Sequence, residues 1–234
     1  MAMQQVKRTL VLPGEVVAEG NSRVGTNVYL ENGKIYAETV GLADIRGAYA
    51  NVIPLKGSYQ PKPDDIVIGQ VVDYSPGSWV LDIGTPTPGI LAVSNAIPRG
   101  RGMIRENPRN IYDVGDYIIA GVMEASRNQN AMLTTLGEGL GKAEGGAIIR
   151  IEAAKVPRLI GKSGSMINMI MKELGVRISV GQNGVVHVMY RDPLDVKVVE
   201  EIVRKIEREA HTAGLTNRIQ EMLQSIKAGK TQSK

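Results

Sequence analysis

The chain has 234 residues and a formal net charge of +4, with 43% hydrophobic and 22% charged side chains and neither cysteine nor phenylalanine. No run approaches the roughly 18 apolar residues that a membrane span needs, and Met1–Leu12 lacks the apolar core and cleavage pattern of an export signal, so a soluble protein is expected. Without cysteine there are no disulfides, thiolate zinc sites or cysteine nucleophiles, and a reducing, cytoplasmic compartment is expected.

The first sixty residues read as short strands at Thr9–Leu12, Glu15–Glu19, Asn27–Glu31 and Lys34–Thr39. The last two flank Asn32-Gly33, a pair at ease at positive φ and therefore the strongest short hairpin signal. A small all-β domain over residues 1–60 is expected, closed by Pro61-Lys62-Pro63, since proline removes ladder donors and restricts its neighbours. From residue 63 to 136 five strand-like runs follow, Ile66–Tyr74, Trp79–Ile83, Gly89–Val93, Tyr117–Ala125 and Ala131–Leu136, with the longest connection between the third and fourth. That size and layout predict a five-stranded OB-type barrel. Residues 137–146 hold five glycines in ten positions and read as a linker or packed connector, with neither a dinucleotide nor a Walker spacing.

The last third is mixed α/β. A strand at Ala147–Ala153 leads through Val156–Ile160 to Gly161-Lys162-Ser163-Gly164, a helix over Ser165–Leu174, strands at Arg177–Val180 and Val185–Met189, and a long helix from about Leu194. Its Val199, Ile202, Val203, Ile206 and Ala210 recur at the three-and-four spacing of an amphipathic face. The order is β-α-α-β-β-α over residues 147–213. A short helix from Leu215 and a frayed tail from Ala228 complete the reading of residues 214–234.

A Gly-x-x-Gly turn between two helices in this order is the mark of a KH domain. Its glycines let a sugar-phosphate strand approach the backbone, and the amides opening the next helix face the anion. In chain order, then, the fold class is multidomain: an all-β domain, an OB-type barrel, and an α/β KH domain with a C-terminal helix.

That order resembles the RNA exosome cap subunits that carry both a barrel of the ribosomal-protein S-one type and a KH domain. The resemblance rests on Gly69-Gln70-Val71-Val72, Val114-Gly115-Asp116, Val156-Pro157-Arg158 leading into Ile160-Gly161, and Gly181-Gln182-Asn183-Gly184. The sibling cap subunit has a cysteine zinc ribbon in its archaeal form and no KH domain, which this cysteine-free chain does not match. The resemblance implies a subunit without catalysis of its own and without a cofactor or metal. It further implies a trimeric cap on a hexameric ring of RNase-PH-like phosphorolytic subunits, guiding single-stranded RNA 3′ ends into the channel. By the same resemblance, the N-terminal domain is expected to hold the cap to the ring.

Candidate RNA-binding residues fall into three groups. Arg99, Arg101, Arg105 and Arg109 lie with Gly100 and Gly102 in the long barrel connection, where phosphates attract such a cluster; the alternative is a solvated loop. Tyr74 and Trp79 flank the first barrel turn and either stack on bases or fill a core that lacks phenylalanine. Arg158, Gly161, Lys162, Ser163 and Gly164 form the KH turn. Gly181, Asn183 and Gly184 are a structural signature that either touches RNA or packs one domain on another. His187 and His211 have no ligand or triad partners in the sequence pattern. Two other readings stay open: a free transcription-elongation or translation factor, and a metal-dependent nuclease drawing on Asp64, Asp65, Asp82, Asp113 and Asp116.

Overall fold

The computed structural model describes residues 9–20, 22–97, 111–126, 129–210, 212 and 214–231. The chain divides into two compact units, residues 1–57 and 58–234.

The first unit contains β1 (Thr9–Val11), β2 (Val16–Glu19), β3 (Arg23–Val24), β4 (Val28–Glu31), β5 (Lys34–Ala37), β6 (Gly41–Arg46) and β7 (Tyr49–Pro54). They form two sheets, β1-β6-β7-β3 and β2-β5-β4. Asn32 and Gly33 both take positive φ, 48° and 76°, and close the β4–β5 hairpin as the sequence predicts. Its two longest strands, β6 and β7, are absent from the sequence reading. Gly41, Ala43 and Asp44 in β6 and Asn51 in β7 are weak strand formers, and only their mutual pairing defines the hairpin. The core is small: Val11, Val28, Ile35, Ala37, Ala50 and Val52.

The second unit begins with β8 (Ile66–Ser75), β9 (Ser78–Asp82), β10 (Gly89–Ala92), a one-turn helix α1 (Val93–Ala96), β11 (Tyr117–Ser126) and β12 (Gln129–Thr134). Neighbours run β12-β10-β9-β8-β11, and β11 pairs back onto β12, so the barrel closes with five strands. Closure includes a parallel pairing of β10 with β12 and leaves no open edge in the ring. Inside lie Val67, Val71, Trp79, Leu81, Ile83, Leu91, Ile118, Val122 and Leu133. α1 plugs one end, where its carbonyls accept from the β12 exit: Thr134 Oγ1 and Thr135 N donate to Asn95 O at 2.9 Å each.

The glycine-rich connector is packed. Its β13 (Gly141–Lys142) adds to the outside of β11 opposite Ile119 and Ile118. Then follow β14 (Ala147–Arg150), α2 (Val156–Ile160), α3 (Ser165–Leu174), β15 (Arg177–Val180), β16 (Val185–Met189), α4 (Pro193–Glu209) and α5 (Leu215–Thr231). The sheet order is β14-β16-β15, all antiparallel. Asp192 caps α4 by accepting from Leu194 N at 2.9 Å, and Pro193 sits where a missing N–H costs nothing. One sheet face meets the helices through Ile149, Val186, Val188, Ile170, Ile202 and Ile206. α5 adds Leu215, Ile219 and Leu223 to that core and stays helical to Thr231, beyond the Ala228 at which the sequence reading starts a tail. No helix among the described residues is long and apolar enough to cross a membrane.

Candidate nucleic-acid interface

The KH turn is built by two helices that cannot run into one another. α2 stops because Gly161 takes φ 74°, ψ 177°, and its N–H still bonds back to Pro157 O at 3.0 Å. A Cβ on Gly161 would lie 2.8 Å from both Cβ and N of Met166, so only glycine fits there. Ser163 adopts a left-handed φ of 51° although it is not glycine, a sparsely populated conformation that recurs at ligand-binding turns. Lys162 and Ser163 are exposed, as is Arg158 at the end of α2. No side chain caps the start of α3. Gly164 N and Ser165 N bond back within the turn, to Gly161 O and Lys162 O, so the turn is closed by its own backbone, with the start of α3 and the exposed Lys162 placed where a phosphate could approach.

The Gly-x-Asn-Gly signature faces the barrel and works as a clamp. Asn183 Nδ2 donates to Ile68 O at 2.9 Å and Ile83 O at 3.0 Å, while its Oδ1 accepts from Ile68 N at 3.2 Å. The side-chain amide thus stands in for a peptide group on β8 just beyond the end of β9. Gln182 N adds a bond to Ile66 O at 2.7 Å. Gly184 sits at φ 81°, where a Cβ would run into Ile151 O, and its own carbonyl accepts from Ile151 N at 2.8 Å. Beside the clamp, Ile68, Ile119 and Val185 are buried together, with Tyr117, Leu140, Ala143 and Ile148 packed around them. The sheet face away from the helices therefore rests on the barrel wall, and barrel and KH domain form one block. His187 belongs to this seam: it is buried, and its Nε2 donates to Gly145 O at 2.8 Å.

Two other motifs also meet. Gln70 Nε2 donates to Gly115 O at 3.2 Å, and Asp116 Oδ2 accepts from Asp113 N at 2.9 Å and from Lys142 Nζ at 2.6 Å. Burial pushes the Asp116 carboxyl up, but the Lys142 bond and charge and the Asp113 amide outweigh it and hold the group below its ordinary value. Lys142 is raised, chiefly by its bond to Asp116.

The aromatic pair divides. Trp79 is fully buried, donates from Nε1 to Tyr112 O at 3.0 Å and meets Tyr112 edge-on at 5.1 Å. A base-stacking role for Trp79 is thereby corrected: in a chain without phenylalanine it is the largest filler of the barrel. Tyr74 is half-buried, its ring 6.2 Å from Trp79, beside a cleft of about 170 Å³ lined also by Val71, Asp73, Tyr112, Asp113 and Val114. Arg99, Arg101, Arg105, Arg109 and His211 lie outside the described residues.

The barrel aspartates cap turns. Asp65 Oδ2 accepts from Tyr59 OH at 2.7 Å and Lys62 N at 3.2 Å, Asp82 from Gly84 N at 2.8 Å and Asp113 from Val114 N at 2.8 Å. Among the described residues no three histidine or carboxylate side chains converge as metal ligands. The Tyr59–Asp65 pair escaped the sequence reading, which took Pro61–Pro63 as a plain boundary.

A barrel with an Asn-clamped KH domain defines a class of nucleic-acid-binding scaffold. Residues 8–56 match the family described as the exosome RNA binding protein RRP4 N-terminal domain, and residues 147–198 match the KH domain. The chain is 43% identical over 220 residues to exosome complex component Rrp4 of Pyrococcus furiosus, covering 93% of this chain and 83% of that protein. It is 40% identical over 227 residues to the Rrp4 of Pyrobaculum aerophilum, covering 96% of each. A crystal structure described as a candidate exosome complex RNA-binding protein superimposes with a TM-score of 0.63 at 29% identity, over 74% of this chain and 99% of that one. The chain belongs to the family of the archaeal exosome complex component Rrp4.

Proposed function

We propose that this chain is a non-catalytic, RNA-binding cap subunit of a cytoplasmic exosome, recruiting single-stranded RNA and guiding its 3′ end into a phosphorolytic ring. The observation that carries the reading is the Gly161–Gly164 turn, open to a sugar-phosphate strand and held at a fixed place on the barrel by Asn183. In this reading Arg158 and Lys162 take phosphates at the KH turn, and Arg99, Arg101, Arg105 and Arg109, in the sequence between β10 and β11, take others. Tyr74 offers an aromatic edge beside its cleft. The N-terminal unit docks on a hexamer of RNase-PH-like subunits, with other copies of the chain or sibling cap subunits completing a trimeric cap. Its outer sheet face suits such a contact: Leu10, Leu42 and Ile53 lie side by side in register, with Leu10 55% and Ile53 36% exposed.

The test is size-exclusion chromatography with light scattering on the protein mixed with a reconstituted ring, followed by RNA degradation with and without the four barrel arginines changed to alanine. A stable complex that degrades RNA faster than the ring alone, with the gain lost in the variant, supports the reading. No complex at micromolar protein sinks it, and a free RNA-binding factor of transcription or translation then takes its place.

A further inference from the structure

The link between the two units is shorter than the sequence suggests. β7 ends at Pro54, and Leu55 N is still bonded to Val40 O at 3.2 Å, so the first unit holds the chain through Leu55. On the other side the barrel takes hold well before its first strand. Tyr59 packs against the barrel core and donates its hydroxyl to Asp65 Oδ2, which also accepts from Lys62 N. Asp65 N returns a bond to Lys62 O at 3.2 Å, Asp64 N donates to Val122 O at 2.9 Å, and Val122 N donates to Asp65 O at 2.8 Å. Pro61 and Pro63 stiffen the loop between these points. Residues 59–65 are thus a strap folded onto the barrel wall.

We propose that this strap is a reach limiter, confining the hinge between the N-terminal unit and the barrel–KH block to Lys56-Gly57-Ser58, with the Tyr59–Asp65 bond as its latch. Three extended residues span at most about 10 Å. With the latch open and Lys62 still bonded to Asp65, the free stretch runs to Pro61, and the limit rises to roughly 20 Å. Gly57 supplies the freedom at the pivot. Burial, and then the bond to Asp65, push the Tyr59 phenol far above its ordinary value, so the hydroxyl remains a donor across the working pH range. The claim concerns this chain alone and stands whether or not the chain joins a ring.

Because the protein has no native cysteine, two can be introduced at exposed Glu31 and Glu201 and spin-labelled on the full chain. Pulsed dipolar distances are then compared in the Tyr59, Tyr59→Ala and Asp65→Ala backgrounds. The expected result is a distance distribution at least twofold broader in both variants. In the Asp65→Ala chain, which keeps Tyr59, chymotryptic cleavage after Tyr59 is expected to accelerate at least tenfold, since proteolysis follows local opening. Near-ultraviolet circular dichroism of the buried Trp79 checks that the barrel stays folded. A variant with intact barrel signal, unchanged distribution width and unchanged cleavage rate overturns the proposal.

Discussion

The two units solve the problem of burial differently. Among the described residues, the N-terminal unit gathers six buried apolar side chains into its core, three of them valine and two alanine, and leaves Leu10, Leu12, Leu30, Ile45, Tyr49 and Ile53 exposed on or beside its short strands. The barrel–KH block encloses Trp79, Leu81, Ile83, Leu91 and Ile118 completely, and it joins its two domains through a second apolar seam and a side-chain amide. A small core under much exposed apolar surface is what a unit shows when its remaining contacts come from a partner. The larger block exposes fewer such side chains for its size, Val114 and Leu194 among them, and more of its surface is left for basic and backbone groups.

Four measurements break or sharpen this contrast. Trp79→Ala empties the middle of the barrel and frees Tyr112 O, and is expected to cost about 3–5 kcal/mol. In denaturant titrations followed by amide signals, the block should melt early while the N-terminal unit keeps its midpoint. Equal shifts in both units would show that they fold as one. Asn183→Ala leaves two carbonyls and the Ile68 N–H without their partner, for roughly 3 kcal/mol. Asn183→Asp should be worse, because a carboxylate would face the carbonyls of Ile68 and Ile83. Wild-type melting of the aspartate variant would rule out the clamp. Leu10→Asp with Ile53→Asp touches only the exposed stripe, and stability is expected to move by no more than about 0.5 kcal/mol; ring binding in the light-scattering assay should fall at least tenfold. Retained binding would place the docking surface elsewhere.

The smallest effect is electrostatic. Asp116 is depressed in the folded state, so its contribution is present above the unfolded value and fades as pH falls through the folded one. Lys142 is raised, so its contribution is complete below the unfolded value and is lost as pH rises through the folded one. Water reaches both partners, with 40% of the Lys142 and 20% of the Asp116 side chain exposed, and screens the pair. Lys142→Met should therefore flatten the stability–pH curve only at its acidic and alkaline ends, and an unchanged curve would show the pair to be inert.

Much of the block was legible because its signals are local. α3 and strands β15 and β16 begin and end at the predicted residues, set by Gly164, Gly175 and the Gly181–Gly184 turn, and the five barrel runs lie within two residues of their predicted ends. What stayed hidden was relational. β6 and β7 have weak propensities and exist through each other. Tyr74 on β8 and Trp79 on β9 are partners across a turn, and sequence alone does not say which ring the barrel closes around. Asn183 read equally as an RNA contact or a packing residue because its partners stand 115 and 100 positions upstream. The Tyr59–Asp65 latch had no signal beyond the prolines between its ends.

That separation also sets a timetable for biosynthesis. Chain growth at about 5–20 residues per second puts roughly 6–23 seconds between the appearance of Ile68 and that of Asn183, 115 residues later. The barrel strands end at Thr134, so the ring can close while the KH segment is still being made. The nascent barrel then waits with one rung of β8 unfilled, and a single amide arriving late completes it.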